Sequence, residues 1–310
     1  MMTNKEHTPV LLNEVIEGLA IKKNGIYLDL TLGRAGHSQE ILKRLTTGTL
    51  IGVDQDEEAL IKSDEVLKQI SSNYELVKTN FVNIKEILLE KGIKEVDGIL
   101  MDLGVSSPQL DEGDRGFSYR FDNELDMRMD RSNPLTAKTI VNTYSYEKLV
   151  KIFREYGEDK YSANIARNIV KERNKKTIET TLELVEIIKR SKPQKELRQI
   201  GHPAKQIFQA LRIEVNDELN VLKKTLNDVI PMLRSKGRIA VITFHSLEDR
   251  IVKNIFKEYA VVEGSRENLP IRNEEKDYVL VNKKVIIASD VELKMNHRSA
   301  SAKLRILERK

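Results

Sequence analysis

Short blocks rich in apolar and β-branched residues cover 26–30, 50–53, 74–77 and 98–103, and amphipathic spacing between them predicts helices near 37–44, 57–69 and 84–91. Strands that alternate with helical segments are the pattern of parallel strands joined by crossover helices. A fifth strand at 238–244 follows a helix read over roughly 208–233. Two last strands, 284–288 and 303–308, lie close enough in sequence to pair as an antiparallel edge. Right-handed crossovers then give an α/β fold with a doubly wound, mostly parallel sheet of about seven strands.

The distance between the fourth and fifth strands is far too long for a crossover, so something is inserted there. The segment 135–205 has helical periodicity (Leu149, Ile152, Phe153; Ile165, Ile169; Leu182, Val185, Ile188) and turn signals at Ser191-Lys-Pro193 and Gly201-His-Pro203. It holds 16 Lys/Arg against 9 Asp/Glu, a net +7, while the whole chain is only +4. The mild global charge therefore hides a polarised molecule. The division expected is a discontinuous domain of 1–134 and 206–310 and an inserted, helical, basic substrate-binding domain of 135–205.

Composition narrows the chemistry. With 40% hydrophobic and 32% charged residues the chain can bury a core, and fibrous and disordered classes drop out. The absence of cysteine excludes disulfides, thiolate metal sites and cysteine nucleophiles. Residues 1–9 lack the apolar stretch of a signal peptide, and no apolar run approaches the roughly 20 residues that span a bilayer. A cytoplasmic protein without membrane attachment is expected. The five histidines lack metal-ligand spacing, so no metal is expected.

Three motifs carry chemistry. In the first, a strand ending at Asp29 runs through Thr31-Leu-Gly33-Arg34-Ala35-Gly36-His37 into a helix. Glycines allow close approach of backbone to ligand. Twenty-one residues past Gly33, Asp54 ends the second strand, where a carboxylate can accept from both hydroxyls of a ribose. Only half of the Gly-x-Gly-x-x-Gly dinucleotide signature is present. Asp29, Asp54 and Asp102 instead bring three carboxylates to strand ends, which favours a cation. S-adenosylmethionine, with a sulfonium, an ammonium and a ribose, fits. The competing reading of Asp29 and Asp102 is that each caps a loop.

The second motif follows the fourth strand: Asp102-Leu-Gly104-Val-Ser106-Ser107-Pro-Gln109, then a glycine-punctuated stretch to about Arg131. In it, Arg115, Phe117, Tyr119, Arg120 and Phe121 interleave cations with rings, a composition that can stack on an unpaired base and pair its phosphates. For any single ring the stronger expectation is that it pins the loop to the core. The third motif is Phe244-His245-Ser246-Leu-Glu248-Asp249-Arg250, where Ser246 is a candidate N-cap with Asp249 closing the turn. A Ser-His-Asp hydrolase is a weaker rival, since no Gly-x-Ser-x-Gly elbow occurs. Lys205, Gln209 and Arg212 share a helical face suited to phosphate or to solvent, and Asn296-His297-Arg298-Ser299-Ala-Ser301 forms a basic, hydroxylated turn before the last strand.

In this order the motifs resemble one family, the bacterial 16S ribosomal RNA (cytosine-N4)-methyltransferases, which modify a cytidine in the decoding region of the small subunit. The likeness runs from His7-Thr-Pro-Val-Leu-Leu through the glycine turn, Asp102-Leu-Gly-Val-Ser-Ser-Pro-Gln109, Arg115-Gly-Phe-Ser and Leu125-Asp-Met-Arg-Met-Asp130 to His202-Pro-Ala-Lys, Phe244-His-Ser-Leu-Glu-Asp-Arg and Arg298-Ser. The resemblance implies a Rossmann-like methyltransferase sheet with an inserted all-helical domain, S-adenosylmethionine as cofactor, and 16S ribosomal RNA or the small ribosomal subunit as partner. It implies cofactor contacts at Ala35, Gly36 and His37, next to Gly33 and Arg34 of the same turn, and at Asp54, Phe81, Asp102 and Gln109.

A chain without cysteine suits an exocyclic amine, because methylating C5 of a pyrimidine normally needs a thiolate adduct. The amine needs a hydrogen-bond acceptor and in-line alignment with the methyl carbon. After Asp102 the chain departs from the Asp/Asn-Pro-Pro-aromatic pattern of amino-methyltransferases. The acceptor candidates are Asp102, the Ser106-Ser107 turn (Ser107 above all) and His245. The alternatives are a small-molecule methyltransferase, a nucleotide-dependent dehydrogenase, and a non-catalytic RNA-binding assembly factor. The oligomeric state is open, a homodimer included.

Overall fold

The computed structural model describes residues 9–104, 115–261 and 275–310. Seven strands form one sheet: β1 Ile26–Asp29, β2 Thr49–Asp54, β3 Tyr74–Lys78, β4 Val96–Asp102, β5 Leu233–Thr243, β6 Tyr278–Leu280 and β7 Lys303–Arg309, in the order β3-β2-β1-β4-β5-β7-β6. β1 to β5 run parallel, and β7 is antiparallel to both of its neighbours. Successive residues of a strand face opposite sides of the sheet. Leu28, Ile51, Ile99, Met101, Ile239 and Val241 fill the core on one side, and Tyr27, Leu50, Leu100, Ala240, Ile242 and Leu304 fill the other. A sheet buried on both faces explains why these strands read as unbroken apolar runs.

The chain forms two compact units, one from Met1–Gly104 and Leu219–Lys310 and the other from Val105–Glu218. The first holds the sheet. The second packs helices Ala137–Thr143, Tyr146–Glu155, Ser162–Arg173, Thr181–Arg190 and Lys205–Asn216 around Phe153, Ile165, Leu184 and Phe208. Thr136, Ser145 and Thr180 cap the first, second and fourth of these helices, Thr180 in a capping box with Glu183. Phe117, Leu125 and Met127 lie in the same core. The segment 135–205 is thus part of a wider body whose net charge is only +2, from 21 Lys/Arg and 19 Asp/Glu. The basic character belongs to the segment, not to the unit.

Three local expectations change. Residues 284–288 are not a strand: only Ile286 bridges to Leu304, and the edge strand is β6. Asn282 is the reason, because its side chain takes the place of a strand backbone, accepting from Ile306 N–H at 2.8 Å and donating to Leu304 C=O at 3.1 Å. The helix read over 208–233 is two helices, Lys205–Asn216 and Glu218–Val229, separated by Asp217 in a left-handed conformation. The cap of helix Ser246–Ala260 is His245, not Ser246, and Glu248 rather than Asp249 closes the box. Among the described residues no helix is long and apolar enough to cross a membrane.

Candidate active site

The carboxyl ends of β1, β2 and β4 carry Asp29, Asp54 and Asp102, the edge where open α/β sheets place ligands. Asp29 is buried and accepts from Ser38 Oγ at 2.7 Å and from Thr31 N–H at 3.1 Å. Burial, with Asp54 nearby adding to it, pushes its carboxyl up to about 6 against those hydrogen bonds. Thr31 also reaches the next strand, its Oγ1 accepting from Asp102 N–H at 2.6 Å.

Asp54 is held on both oxygens. Oδ2 accepts from Gly33 N–H at 2.9 Å and Oδ1 from Asp56 N–H at 2.9 Å, while burial still raises its pKa above the usual carboxylate range. The turn it grips has left-handed backbone at Gly33 (φ 52°) and Ala35 (φ 58°), and Ser63 Oγ donates to Gly33 C=O at 2.9 Å. Gly36 lies under Pro9, and a Cβ there would stand 2.4 Å from the proline Cγ. Arg34 points to the surface, 3.2 Å from Glu58. Phe81 opens a short 3-10 turn after β3 and packs partly buried on the sheet core, and Thr79 N–H donates to Asp54 C=O at 3.0 Å to tie that turn to the site.

Asp102 is pushed up further than Asp29. Burial, then the charges of Asp29 and Glu248, push its carboxyl up to about 8. Its Oδ1 is buried without a hydrogen-bond partner among the described residues. Its Oδ2 lies 3.7 Å from Nδ1 of the buried His37, whose Nε2 donates to Val10 C=O at 2.9 Å. An unmet buried acceptor among three carboxylates calls for a cationic donor. The glycine turn, the doubly held Asp54 and the orphaned Asp102 oxygen fit the ribose and positive charges of S-adenosylmethionine.

Glu248 went unrecognised in the sequence as a member of this acidic group. It is buried, its Oε2 accepts from the N–H groups of Phe244 (2.8 Å) and His245 (3.3 Å), and it faces Asp102 closely enough to raise it. The legible signal was the spacing His245-x-x-Glu248, a capping box with histidine in place of serine. His245 Nδ1 accepts from Glu248 N–H at 3.4 Å, and Nε2 lies 3.1 Å from Glu248 Oε1. Nδ1 thus serves the cap, whereas Nε2 is buried without a hydrogen-bond partner among the described residues. Ser107, Ser106 and Gln109 lie outside the described residues.

The rings of the second motif separate by burial. Phe117 is core, Tyr119 stacks on His202 (4.3 Å between centroids, 9° between planes), and Phe121 is 47% exposed. The face of Lys205, Gln209 and Arg212 also divides: Arg212 is bidentate to Glu218 at 2.7 and 2.8 Å and Gln209 donates to Tyr156 C=O, which leaves Lys205 as its exposed cation.

Comparison with known proteins matches residues 4–310 to the model of the MraW methylase family. The "Ribosomal RNA small subunit methyltransferase H" of Spiroplasma kunkelii is 55% identical over 308 residues, 98% of each chain. The protein of the same name from Mesoplasma florum is 53% identical over 99% of this chain and 100% of its own. Among solved structures, a putative rRNA-methylase from Clostridium thermocellum covers 98% of this chain and 100% of its own at 10% identity and a TM-score of 0.46, a likeness too slight to bear on function.

Proposed function

Because the chain belongs to the MraW methylase family, we propose that it transfers a methyl group to the exocyclic N4 of a cytidine in 16S ribosomal RNA, in the decoding region of the small subunit. It is a methyltransferase, and its cofactor is S-adenosylmethionine. The observation that carries the reading beyond the family is the acidic edge at Asp29, Asp54 and Asp102, with the Asp102 oxygen that lacks a partner.

The bound cofactor supplies an electrophilic methyl group on a sulfonium. Asp54, pinned by Gly33 and Asp56, receives the ribose hydroxyls without having to reorganise. The turn Gly33, Arg34, Ala35, Gly36 and His37 offers backbone rather than side chains, since Arg34 itself pairs outward. Phe81, in the turn after β3, and Gln109 are proposed as further cofactor contacts. Asp102 carries a proton near neutrality and gives it up when positive charge arrives, which leaves a carboxylate to hold that charge.

Asp102 and Ser107 are the proposed hydrogen-bond acceptors for the N4 amine, whose lone pair is delocalised into the ring, and the Asp102 carboxylate takes the N4 proton as the N–C bond forms and the S–C bond breaks. His245 is better placed as a positioning residue, because it fixes Glu248 and the turn after β5. Exposed cations of 135–205 are proposed to hold RNA phosphates. The test is mass spectrometry of ribosomal RNA nucleosides from cells with and without the gene. Loss of N4-methylcytidine from small-subunit RNA is expected, and its persistence would reject the proposal.

A further inference from the structure

A cavity of about 270 Å³ opens in the sheet-bearing unit, beside the end of β5 and the turn that leads into β7. Phe244, Ile287 and Leu293 give it apolar walls, and Ser246, Ser301 and Lys303 give it donors. No carboxylate is among its described lining residues, in contrast to the edge that carries Asp29, Asp54 and Asp102. Lys303 has three N–H donors and spends one on Asp249 at 3.4 Å, while Asp249 itself is held more closely by Arg305 at 2.7 Å. The cavity therefore suits a planar, partly apolar group joined to an anion. It brings together side chains of two motifs, Phe244-His-Ser and Ser299-Ala-Ser301.

Its place in the sheet limits which group that is. Ile242 of β5 pairs with Asp102 on one side and with Leu304 of β7 on the other. The cavity lies just past that row, two strand spacings from β4, or about 10 Å. A base that accepts a methyl group beside Asp102 cannot also fill it, but the next nucleotide of the same strand reaches it. Phe244 spans the two places: a Cβ on Gly104, two residues past Asp102, would stand 3.3 Å from Cδ2 of its ring.

We propose that this cavity binds the nucleotide adjacent to the target cytidine, its base between Phe244 and Ile287 and its phosphate on Lys303, and so sets sequence context and register. The proposal rests on the RNA-methylation reading above. Two exposed positions test it in the full chain. Ser301→Trp fills the cavity, and Ile287→Asp, at a residue 64% exposed, places a carboxylate at its mouth with little risk to folding.

With a small-subunit RNA fragment as substrate, each variant is expected to raise KM for RNA about tenfold, the cost of one lost base contact. The calorimetric affinity for S-adenosylmethionine should not change. An abasic residue on one side of the target should cost the wild-type enzyme a similar factor and cost Ser301→Trp nothing further. Unchanged KM in both variants, or an abasic loss that adds in full to theirs, would overturn the proposal. Failure of the wild-type protein to methylate any small-subunit RNA would instead reject the reading on which it rests.

Discussion

Asp97 and Asp102 stand at opposite ends of β4 and are perturbed in opposite directions. Burial acts to raise Asp97, but the Ile26 N–H at 3.0 Å, Lys22 at 3.1 Å and Arg234 at 3.0 Å outweigh it and hold the carboxyl below its ordinary value. At the other end burial acts on Asp102 with no such partner, and Asp29 and Glu248 add to it. One aspartate ties the amino ends of β1, β4 and β5 together. The other is left dissatisfied where a ligand can satisfy it.

The Asp97 end is structural. Asp97→Ala should cost about 1–3 kcal/mol, chiefly because it takes the acceptor from the part-buried Ile26 N–H, while Lys22 and Arg234 are half-exposed and can turn to water. Since its folded value is depressed, the contribution is present above 3.8 and is lost as pH falls through the folded value. Urea unfolding at pH 7 and at pH 3 checks this. A difference from wild type that persists undiminished at pH 3 would contradict it.

Asp102 should behave in the opposite sense. Its folded value is about 8 against an ordinary 3.8, so the folded chain binds the proton more tightly and stability falls as pH rises between those values. Asp102→Asn is expected to raise the Tm of the cofactor-free protein at pH 8.5 by about 2–4 °C, to leave it little changed at pH 4, and to abolish methyl transfer. A lower Tm at pH 8.5 would show that the carboxylate is satisfied in a way the structure does not display.

How much of this was legible in the sequence depends on range. Asp29, Asp54 and Asp102 could be placed at strand ends because unbroken apolar runs stop at or beside them. The edge beyond β7 was misread because a side chain, Asn282, does there what a strand backbone would do, and no periodicity records that. Asp217 breaks a continuous amphipathic pattern by adopting a left-handed conformation open to aspartate but not announced by it. Glu248 joins Asp102 only through the packing of β5 on β4. Sequence spacing could show the capping box but not the carboxylate it faces.

The ring-by-ring burial of the second motif makes a separable prediction. Phe121→Ala should weaken RNA binding about fivefold with little change in Tm, since the residue is 47% exposed. Tyr119→Ala should lower Tm through loss of its stack on His202. Filter binding and thermal melting separate the two, and equal effects of both variants on both readouts would contradict the assignment.

The proposed phosphate role of 135–205 is testable by salt. Lys151, Arg154, Arg167 and Lys171 are exposed on the packed helices Tyr146–Glu155 and Ser162–Arg173. Replacing all four by alanine should reduce the slope of log affinity for RNA against log salt by about 2 or more. An unchanged slope would remove the segment from the RNA-binding account. Deleting 135–205 is the poorer experiment, because its helices share a core with Phe117, Leu125 and Phe208.

The most direct test of the acidic edge is a calorimetric titration with S-adenosylmethionine at pH 7 in two buffers of different ionisation enthalpy. Wild-type protein should bind with net proton release, as positive charge displaces the proton of Asp102. Asp102→Asn should lose that release, and Asp54→Ala should lose binding altogether while RNA affinity survives. Binding by wild type without proton release, or undiminished binding by Asp54→Ala, would contradict the account.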